Sequence, residues 1–390
     1  MRSSSLVYAL TALSVLTLAP ATAAASRVVY VNTQPVTVSA GANDPTMDQI
    51  SVNGFMDTDL DGWAGATPEQ LEQLLVIMRD VSVPFDIVFT DERPSEGPYD
   101  MVVFGSADDH ASAFGGNCST QVGIADCSDQ GGTSIGFMFW GCLPEADQLD
   151  TERVAFHALG ALGYGWGLEN IAGTGQIMSG FSGTALRWGD ACANLSAAGN
   201  CTHAGCGAGQ QNSSADLMAA FGARVDDGPP VVTVLEPAPG DVTEPFDVVV
   251  DIDDAFGGLS ATLELVGFDV PPVSDTSWPY AWSGLTIGAG PVTLRVTGID
   301  ADGNETVVDV PICVGGGCPE PGDGDGDGDA SGDGDGDPDP TGGDTGGPVG
   351  PGVDRGGDSG GCAVSQPGPL GGALALLGLL GLVGRRRRGA

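Results

Sequence analysis

The sequence HALGALGYGWGLEN, residues 157–170, decides how the N-terminal half of this chain is interpreted. It is almost entirely apolar and carries one histidine, His157, at its start. Such a run, followed by glycines, predicts a buried helix that ends at those glycines. A lone histidine on an apolar helix is most simply a hydrogen-bonded core residue. This reading and one that involves metal chemistry both remain open at this point.

The segments around this helix predict an α/β domain over residues 26–226. A helix is predicted over TPEQLEQLLVIMRD, residues 67–80, where Thr67 is the cap and Pro68 the first helical residue. A second helix is predicted over NSSADLMAAFGA, residues 212–223. Apolar and β-branched runs predict four strands: RVVYVNT (27–33), PFDIVFTD (84–91), PYDMVVFG (98–105) and SIGFMFWG (134–141).

The charge of the chain excludes one class of function. The formal net charge is −39, from 52 acidic and 13 basic residues, and every basic residue is arginine. Because such a surface repels phosphate backbones, we do not expect nucleic-acid binding.

The composition divides the rest of the chain into further segments. Residues 1–25 have an arginine, an apolar run and small-residue cleavage sites, which predict a signal peptide. Residues 227–316 contain β-branched runs separated by turn signals, DADGN at 300–304 among them, which predict an all-β sandwich. This segment resembles bacterial immunoglobulin-like modules. Residues 317–361 are rich in glycine and aspartate and predict a disordered acidic linker.

Nine cysteines in a chain with a signal peptide predict disulfides. Cys313 and Cys318 are expected to close a short loop. Six more are expected to pair within the first domain, with 15 possible connectivities. These six are Cys118, Cys127, Cys142, Cys192, Cys201 and Cys206. Cys362 is the cysteine left over.

The helix also has the frame of a zinc-protease motif, H-E-x-x-H-x-x-G-x-x-H. That motif places two histidines four residues apart, a glutamate as base and a third histidine after a glycine turn. Two registers fit residues 157–170. In the first, the three ligand positions are His157, Ala161 and Gly167, with Ala158 at the glutamate position. In the second, which keeps Gly167 as the turn glycine, they are Gly160, Tyr164 and Asn170, with Ala161 at the glutamate position.

Both registers lack the glutamate and at least two histidines, yet the context resembles the metzincin-type zinc proteases. GQIMSG, residues 175–180, resembles their Met-turn, with Met178 as the methionine beneath the metal. The resemblance covers roughly residues 80–225. It implies a degenerate, noncatalytic metzincin-like domain, and we expect neither catalytic residues nor zinc. The alternative is a secreted zinc-dependent endopeptidase with non-standard ligands.

A calcium loop is a further possibility. Asp57, Asp59 and Asp61 alternate before Gly62, as in such a loop, but Pro68 stands where the twelfth-position glutamate is expected. A solvated acidic turn is the other interpretation.

The C-terminal segment, residues 362–390, contains Cys362, about 15 apolar residues and four arginines, Arg385–Arg388. It resembles the MYXO-CTERM sorting signal. The resemblance implies cleavage by an envelope sorting protease and attachment of Cys362 to membrane lipid. We therefore expect an exported protein, anchored at the cell surface or outer membrane, with a binding or structural role.

Overall fold

The structure is a computed structural model that describes residues 26–318 apart from Asn53, Gln130 and Thr184. The predicted signal peptide, nearly all of the predicted linker, Cys362 and the C-terminal sorting segment lie outside the described residues. The described part belongs to one compact unit that ends at Cys318.

The first half of this unit, which we call the head, is built on a sheet of five strands: β1 (Arg27–Asn32), β5 (Ile87–Thr90), β6 (Asp100–Gly105), β7 (Gln121–Val122) and β8 (Ile135–Phe139). Their order in the sheet is β5-β1-β6-β8-β7. Four strands are parallel, and only the edge strand β7 runs antiparallel to its neighbour β8. Every residue of β6 and of β8 is buried, as expected of central parallel strands with both faces covered.

One face of this sheet is covered by helices α1 (Pro68–Val81) and α3 (Thr151–Gly165), which also contact each other. Helix α1 begins with the predicted cap, because the Thr67 hydroxyl accepts a hydrogen bond from the backbone N–H of Gln70 and the Gln70 side chain accepts one from the backbone N–H of Thr67. Its buried positions, Leu74, Leu75 and Met78, belong to the same core as most of the buried apolar side chains of α3.

The other face is covered by elements that the sequence did not reveal. A small sheet of β2 (Val36–Ala40), β3 (Gln49–Ile50) and β4 (Thr58–Leu60) lies there with helix α2 (Ala107–Ala113). The signal for α2 was present, because Ser106 and Asp109 form a capping box. The head is completed by the short pair β9 (Ala193–Asn194) and β10 (Gln210–Gln211), and by α4 (Ser213–Phe221) within the second predicted helix.

The second half is a sandwich of two β-sheets around its own core. One sheet contains β11 (Val231–Glu236), β13 (Phe246–Asp253) and β16 (Tyr280–Leu285). The other has the order β12-β18-β17-β14-β15 and comprises β12 (Gly240–Val242), β14 (Ser260–Val266), β15 (Val273–Asp275), β17 (Gly290–Ile299) and β18 (Glu305–Val314). The predicted turn at residues 300–304 joins β17 to β18. The described protein is therefore rich in β-structure, with helices confined to the head.

Four disulfides are present among the described residues, and they use all eight cysteines that were expected to pair. The bonds are Cys118–Cys142, Cys127–Cys201, Cys192–Cys206 and Cys313–Cys318. The first three lie in the head, and the fourth closes the loop at the end of β18. Four disulfides are typical of a protein that resides in an oxidising, extracellular environment.

The head and the sandwich meet around Arg224, whose side chain is only 5% exposed. Its guanidinium lies 2.8 Å from Asp302 and 5.5 Å from the centre of the Phe256 ring. A second contact joins α1 to the sandwich, because the backbone N–H of Gly258 donates to Asp80 at 2.8 Å. Among the described residues, no helix is both long and apolar enough to cross a membrane.

Candidate functional site

Helix α3 presents residues 160 and 164 one turn apart, so both occupy the same face. The helix starts at Thr151, where Asp150 accepts hydrogen bonds from the first turn, and it ends at Gly165. Gly167 then adopts a φ of 83°, in the left-handed region that favours glycine. The chain reverses there, and the following residues return towards the helix.

This reversal brings the three ligand positions of the second register together. The Tyr164 hydroxyl donates to Asn170 Oδ1 at 2.9 Å, which joins the second position to the third. The first position, Gly160, faces Gln121 of β7: a Cβ on Gly160 would lie 2.5 Å from Gln121 Oε1. The Gln121 amide also donates to the Tyr164 hydroxyl at 3.2 Å. The Gln121 side chain thus lies where a side chain at position 160 would extend.

His157 lies at the inner end of the same chain of contacts. It is 1% exposed, and its Nδ1 lies 3.0 Å from Gln121 Oε1 and 3.1 Å from Thr120 Oγ1. Because an amide oxygen only accepts hydrogen bonds, Nδ1 carries the proton. Burial, with a smaller contribution from the Arg153 charge, lowers the pKa of His157 to about 4. We call the four side chains of His157, Gln121, Tyr164 and Asn170 the Gln121 network.

Met178 lies beneath this region, in a 3₁₀ segment, Ile177–Ser182. It is fully buried, and its sulfur lies 2.7 Å from where a Cβ on Gly163 would be. The Met178 carbonyl accepts a hydrogen bond from the backbone N–H of Ile171 at 2.9 Å, next to Asn170. The methionine is therefore held against both the helix and the segment that returns to it.

The Gln121 network contains an amide, a phenol, an imidazole and a second amide. None of its groups is a thiolate or a carboxylate, and it contains a single imidazole, that of His157. The position of the glutamate base in this register, Ala161, is fully buried, and its Cβ would lie 3.2 Å from a Cβ on Gly136 of β8. These residues do not fit a catalytic zinc site, which needs three donors and a base.

In the first register, His157 and Ala161 lie one turn apart on α3, but Ala161 has no donor atom and packs against Gly136 of β8. Gly167 supplies the turn.

The structure does not bring the predicted calcium ligands together. Thr58–Leu60 form strand β4, so Asp57, Asp59 and Asp61 follow an extended chain rather than a loop. Alternate residues of a strand are about 6.6 Å apart, which is too far for three carboxylates to share one ion. Asp57 instead accepts from the backbone N–H of Ala40, and Asp59 from Thr37. The structure thus places Asp57 and Asp59 at the side of a paired, exposed strand rather than around one point.

A different acidic cluster lies near the junction of the head and the sandwich. One oxygen each of Asp226, Asp254 and Asp300 lies within 4.8 Å of the others, the only such group of potential metal ligands in the part of the chain that the structure describes. Burial raises the pKa of Asp226 and of Asp254, and the charge of Asp300 adds to both increases. Calcium binds about six to eight oxygen atoms, so three carboxylates would supply part of its coordination. Sequence reasoning missed this cluster because its members come from three separate segments.

A second polar cluster holds the cysteine-rich loop against the head. His203 is 3% exposed at its side chain and lies between Glu169, at 3.1 Å, and Asp216, at 2.9 Å. Although burial favours a higher value, hydrogen bonds from the backbone of Asn200 and from His203 hold the pKa of Glu169 below its usual range. All of these polar groups are used within the cluster, so it fastens the loop to α4 and to the end of α3.

Comparison with known proteins adds little to this geometry. No family model matches the chain, and no curated protein matches it. Solved structures that resemble part of it include fibronectin(III)-like modules of Clostridium thermocellum CbhA, at 17% identity and a TM-score of 0.20, over 22% of this chain and 94% of that one. An endo-β-1,4-mannanase of Cellulomonas fimi is 24% identical over 24% of this chain and 21% of its own length, with a TM-score of 0.18. The chain spans about a quarter or less of the mannanases that it resembles.

Proposed function

We propose that the head is a noncatalytic, metzincin-like domain of an exported protein that is anchored at the cell surface. In this proposal the head has a binding or structural role, and the sandwich is an immunoglobulin-like module that separates it from the anchored end. One observation carries the proposal. The three ligand positions of the second register, Gly160, Tyr164 and Asn170, lie close together, and neutral hydrogen-bonding groups occupy the space between them.

Three features support the proposal. The left-handed Gly167 reverses the chain where the motif places its glycine, and the Tyr164–Asn170 hydrogen bond joins two of the ligand positions. Met178 lies against Gly163 on the helix, as a methionine beneath a metal centre would. The Gln121 side chain fills the space that a histidine at position 160 would need. A site filled in this way keeps its architecture through hydrogen bonds rather than through a metal ion.

The loss of catalysis follows from the chemistry of these groups. Peptide hydrolysis by a zinc protease needs a metal-bound water and a carboxylate that takes its proton. Tyr164 and Asn170 are bonded to each other, and Ala161 has no functional group. In the second register, position 161 therefore offers no base, and the side chains at positions 164 and 170 are bonded to each other.

Metal and activity measurements on the mature chain test this proposal. After dialysis against a weak chelator, metal analysis should find no stoichiometric zinc, and casein should remain uncut. A matched pair of variants, His157→Ala and Tyr164→Phe, should show the same zinc content and the same absence of casein cleavage as the wild-type chain. Chelator-sensitive casein cleavage that His157→Ala abolishes would overturn the noncatalytic assignment and support an endopeptidase with non-standard ligands.

The anchoring part of the proposal rests on the tail, whose sequence places Cys362 before an apolar run and four arginines. The arginines should stop the tail during export. Two or more acyl chains on Cys362 would hold the protein at a membrane, because one chain gives only marginal attachment. Mass spectrometry of protein from envelope fractions should find chains that end near Cys362. The Cys362→Ala variant should retain the tail with Arg385–Arg388. If the mature wild-type chain also retained these arginines, the sorting assignment would be contradicted.

A further inference from the structure

The distribution of asparagines points to a modification of the head that the proposed function does not include. The chain has nine asparagines, and five of them begin the sequence N-x-S/T in which x is not proline. Serine and threonine are 51 of the 390 residues, so chance would give about one such asparagine among nine. The five are Asn117, Asn194, Asn200, Asn212 and Asn304.

The structure divides these five asparagines into two groups. Asn212 and Asn304 are partly buried and committed: the Asn212 amide caps α4 and donates to the Asp190 carbonyl, and the Asn304 amide donates to Asp226 and Asp300. Asn117, Asn194 and Asn200 are exposed. Within the described residues, the side chains of Asn117 and Asn200 make no hydrogen bond, and Asn194 only accepts one, from Gln210. Their amide nitrogens are therefore free to react.

Two of the exposed asparagines lie on one loop, residues 192–206, which the Cys192–Cys206 disulfide closes. The loop is fixed to the head through the backbone: Ser196 N–H donates to the Asn170 carbonyl at 2.9 Å, and Asn200 N–H donates to Glu169 at 2.8 Å. In the Asn200 sequon the hydroxyl partner, Thr202, is also exposed. This loop offers an accessible acceptor on a disulfide-bonded domain that we propose is exported, which is the setting in which this sequence is modified.

We propose that the head is N-glycosylated at its exposed asparagines, Asn117, Asn194 and Asn200, with Asn200 as the principal site. In the transfer, Nδ2 forms a bond to the anomeric carbon of a glycan, and that carbon loses its bond to the phosphate oxygen of a polyprenyl-diphosphate donor. The amide proton passes to a base on the transferring enzyme. The glycans of the loop would lie beside residues 169 and 170 and would cover that side of the Gln121 network.

Peptide mass spectrometry of the full chain, purified from the envelope of cells that naturally make it, tests the proposal. Peptides with Asn200 should carry a glycan that a peptide:N-glycosidase removes, converting the asparagine to aspartate. Peptides with Asn212 and Asn304 should be unmodified and serve as internal controls.

A pair of surface variants makes the test specific. Thr202→Ala keeps Asn200 but removes the hydroxyl of the sequon, and should lower occupancy at Asn200 at least tenfold, whereas Thr202→Ser should retain it. Thermal melting should be the same for both variants, because Thr202 is exposed. Unmodified peptides at all three exposed sites would overturn the proposal. So would an unchanged glycan at Asn200 in Thr202→Ala, or equal occupancy at Asn212 and Asn304.

Discussion

Protonation of His157 should make the head lose stability in weak acid. In the folded protein the pKa of His157 is lowered to about 4 by burial and by Arg153, whereas an unfolded histidine titrates near 6.5. The unfolded chain therefore binds the proton first as the pH falls. Stability from this group is fully present above about pH 6.5 and is lost between about pH 6.5 and 4. Between pH 7.5 and 4.5, linkage gives a loss of about 2.5 kcal/mol.

Urea unfolding followed by tryptophan fluorescence measures this loss, with His157→Gln as the matched variant. The glutamine can still hydrogen-bond Gln121 but has no proton to bind, so the acid-dependent loss should be absent from its curve. The quantity to compare is the difference in unfolding free energy between wild type and His157→Gln at each pH. The wild-type curve alone is not enough, because burial also raises the pKa of Asp129 to about 7. A raised carboxyl pKa has the opposite sign: its cost is present above about pH 7 and is relieved as the pH falls towards about 4. Asp129 is common to both proteins and cancels.

The reasoning would be refuted if the stability difference between wild type and His157→Gln stayed constant within about 0.5 kcal/mol from pH 7.5 to 4.5. That result would mean that His157 titrates normally in the folded head and is not held by its contacts with Gln121 and Thr120.

Three further predictions concern packing and cross-links. Gly160→Ala should lower stability by about 1 kcal/mol, because the new Cβ would displace the Gln121 amide from its hydrogen bonds to His157 and Tyr164, and this loss exceeds the gain of about 1 kcal/mol from replacing a helical glycine; in a Gln121→Ala background, denaturant unfolding should show the gain alone. Replacing Cys127 and Cys201 by serine should cost about 4 kcal/mol, against about 2 kcal/mol for Cys313 and Cys318, because the sequence separations are 74 and 5 residues; a larger loss from the short loop would contradict this order. Arg224→Ala should cost about 1–2 kcal/mol, since it removes a nearly buried guanidinium from an Asp302 that remains partly hydrated; Asp302→Asn should cost less in the same melting experiment.

The sequence predicted the elements whose signals are local. The Thr67 cap and the apolar face of α1 predicted the bounds of that helix to within a residue or two. The β-branched runs of residues 227–316 predicted the strands of the sandwich. The head was predicted as α/β, and its mostly parallel sheet with helices packed against both faces agrees with that coarse description. Helix α2 was missed because it has only seven residues, although Ser106 caps it as clearly as Thr67 caps α1.

The site could be predicted only in outline. The glycine spacing indicated that residues 160, 164 and 170 belong together, and the structure brings them together. The group that fills the space, Gln121, lies 39 residues before Gly160 in sequence and on an edge strand of two residues, so no local pattern could reveal it. For the aspartates at 57, 59 and 61 the sequence left a calcium loop and a solvated acidic turn both open, because their spacing is equally regular in a loop and in a strand. The disulfide partners could not be assigned from the sequence either, because the tertiary fold decides which cysteines lie close together.

The central claim is that Gly160, Tyr164 and Asn170 occupy the ligand positions of a lost zinc site. Rebuilding that site tests the claim most directly, through the mature chain carrying Gly160→His, Tyr164→His and Asn170→His, with Gln121→Ala to clear the space. A variant with Asn170 unchanged serves as the matched control, and circular dichroism confirms that each protein is folded. Metal analysis after dialysis should find about one zinc per chain in the rebuilt protein, at least tenfold weaker binding in the control, and none in the parent. A folded rebuilt protein that binds no zinc would contradict the account.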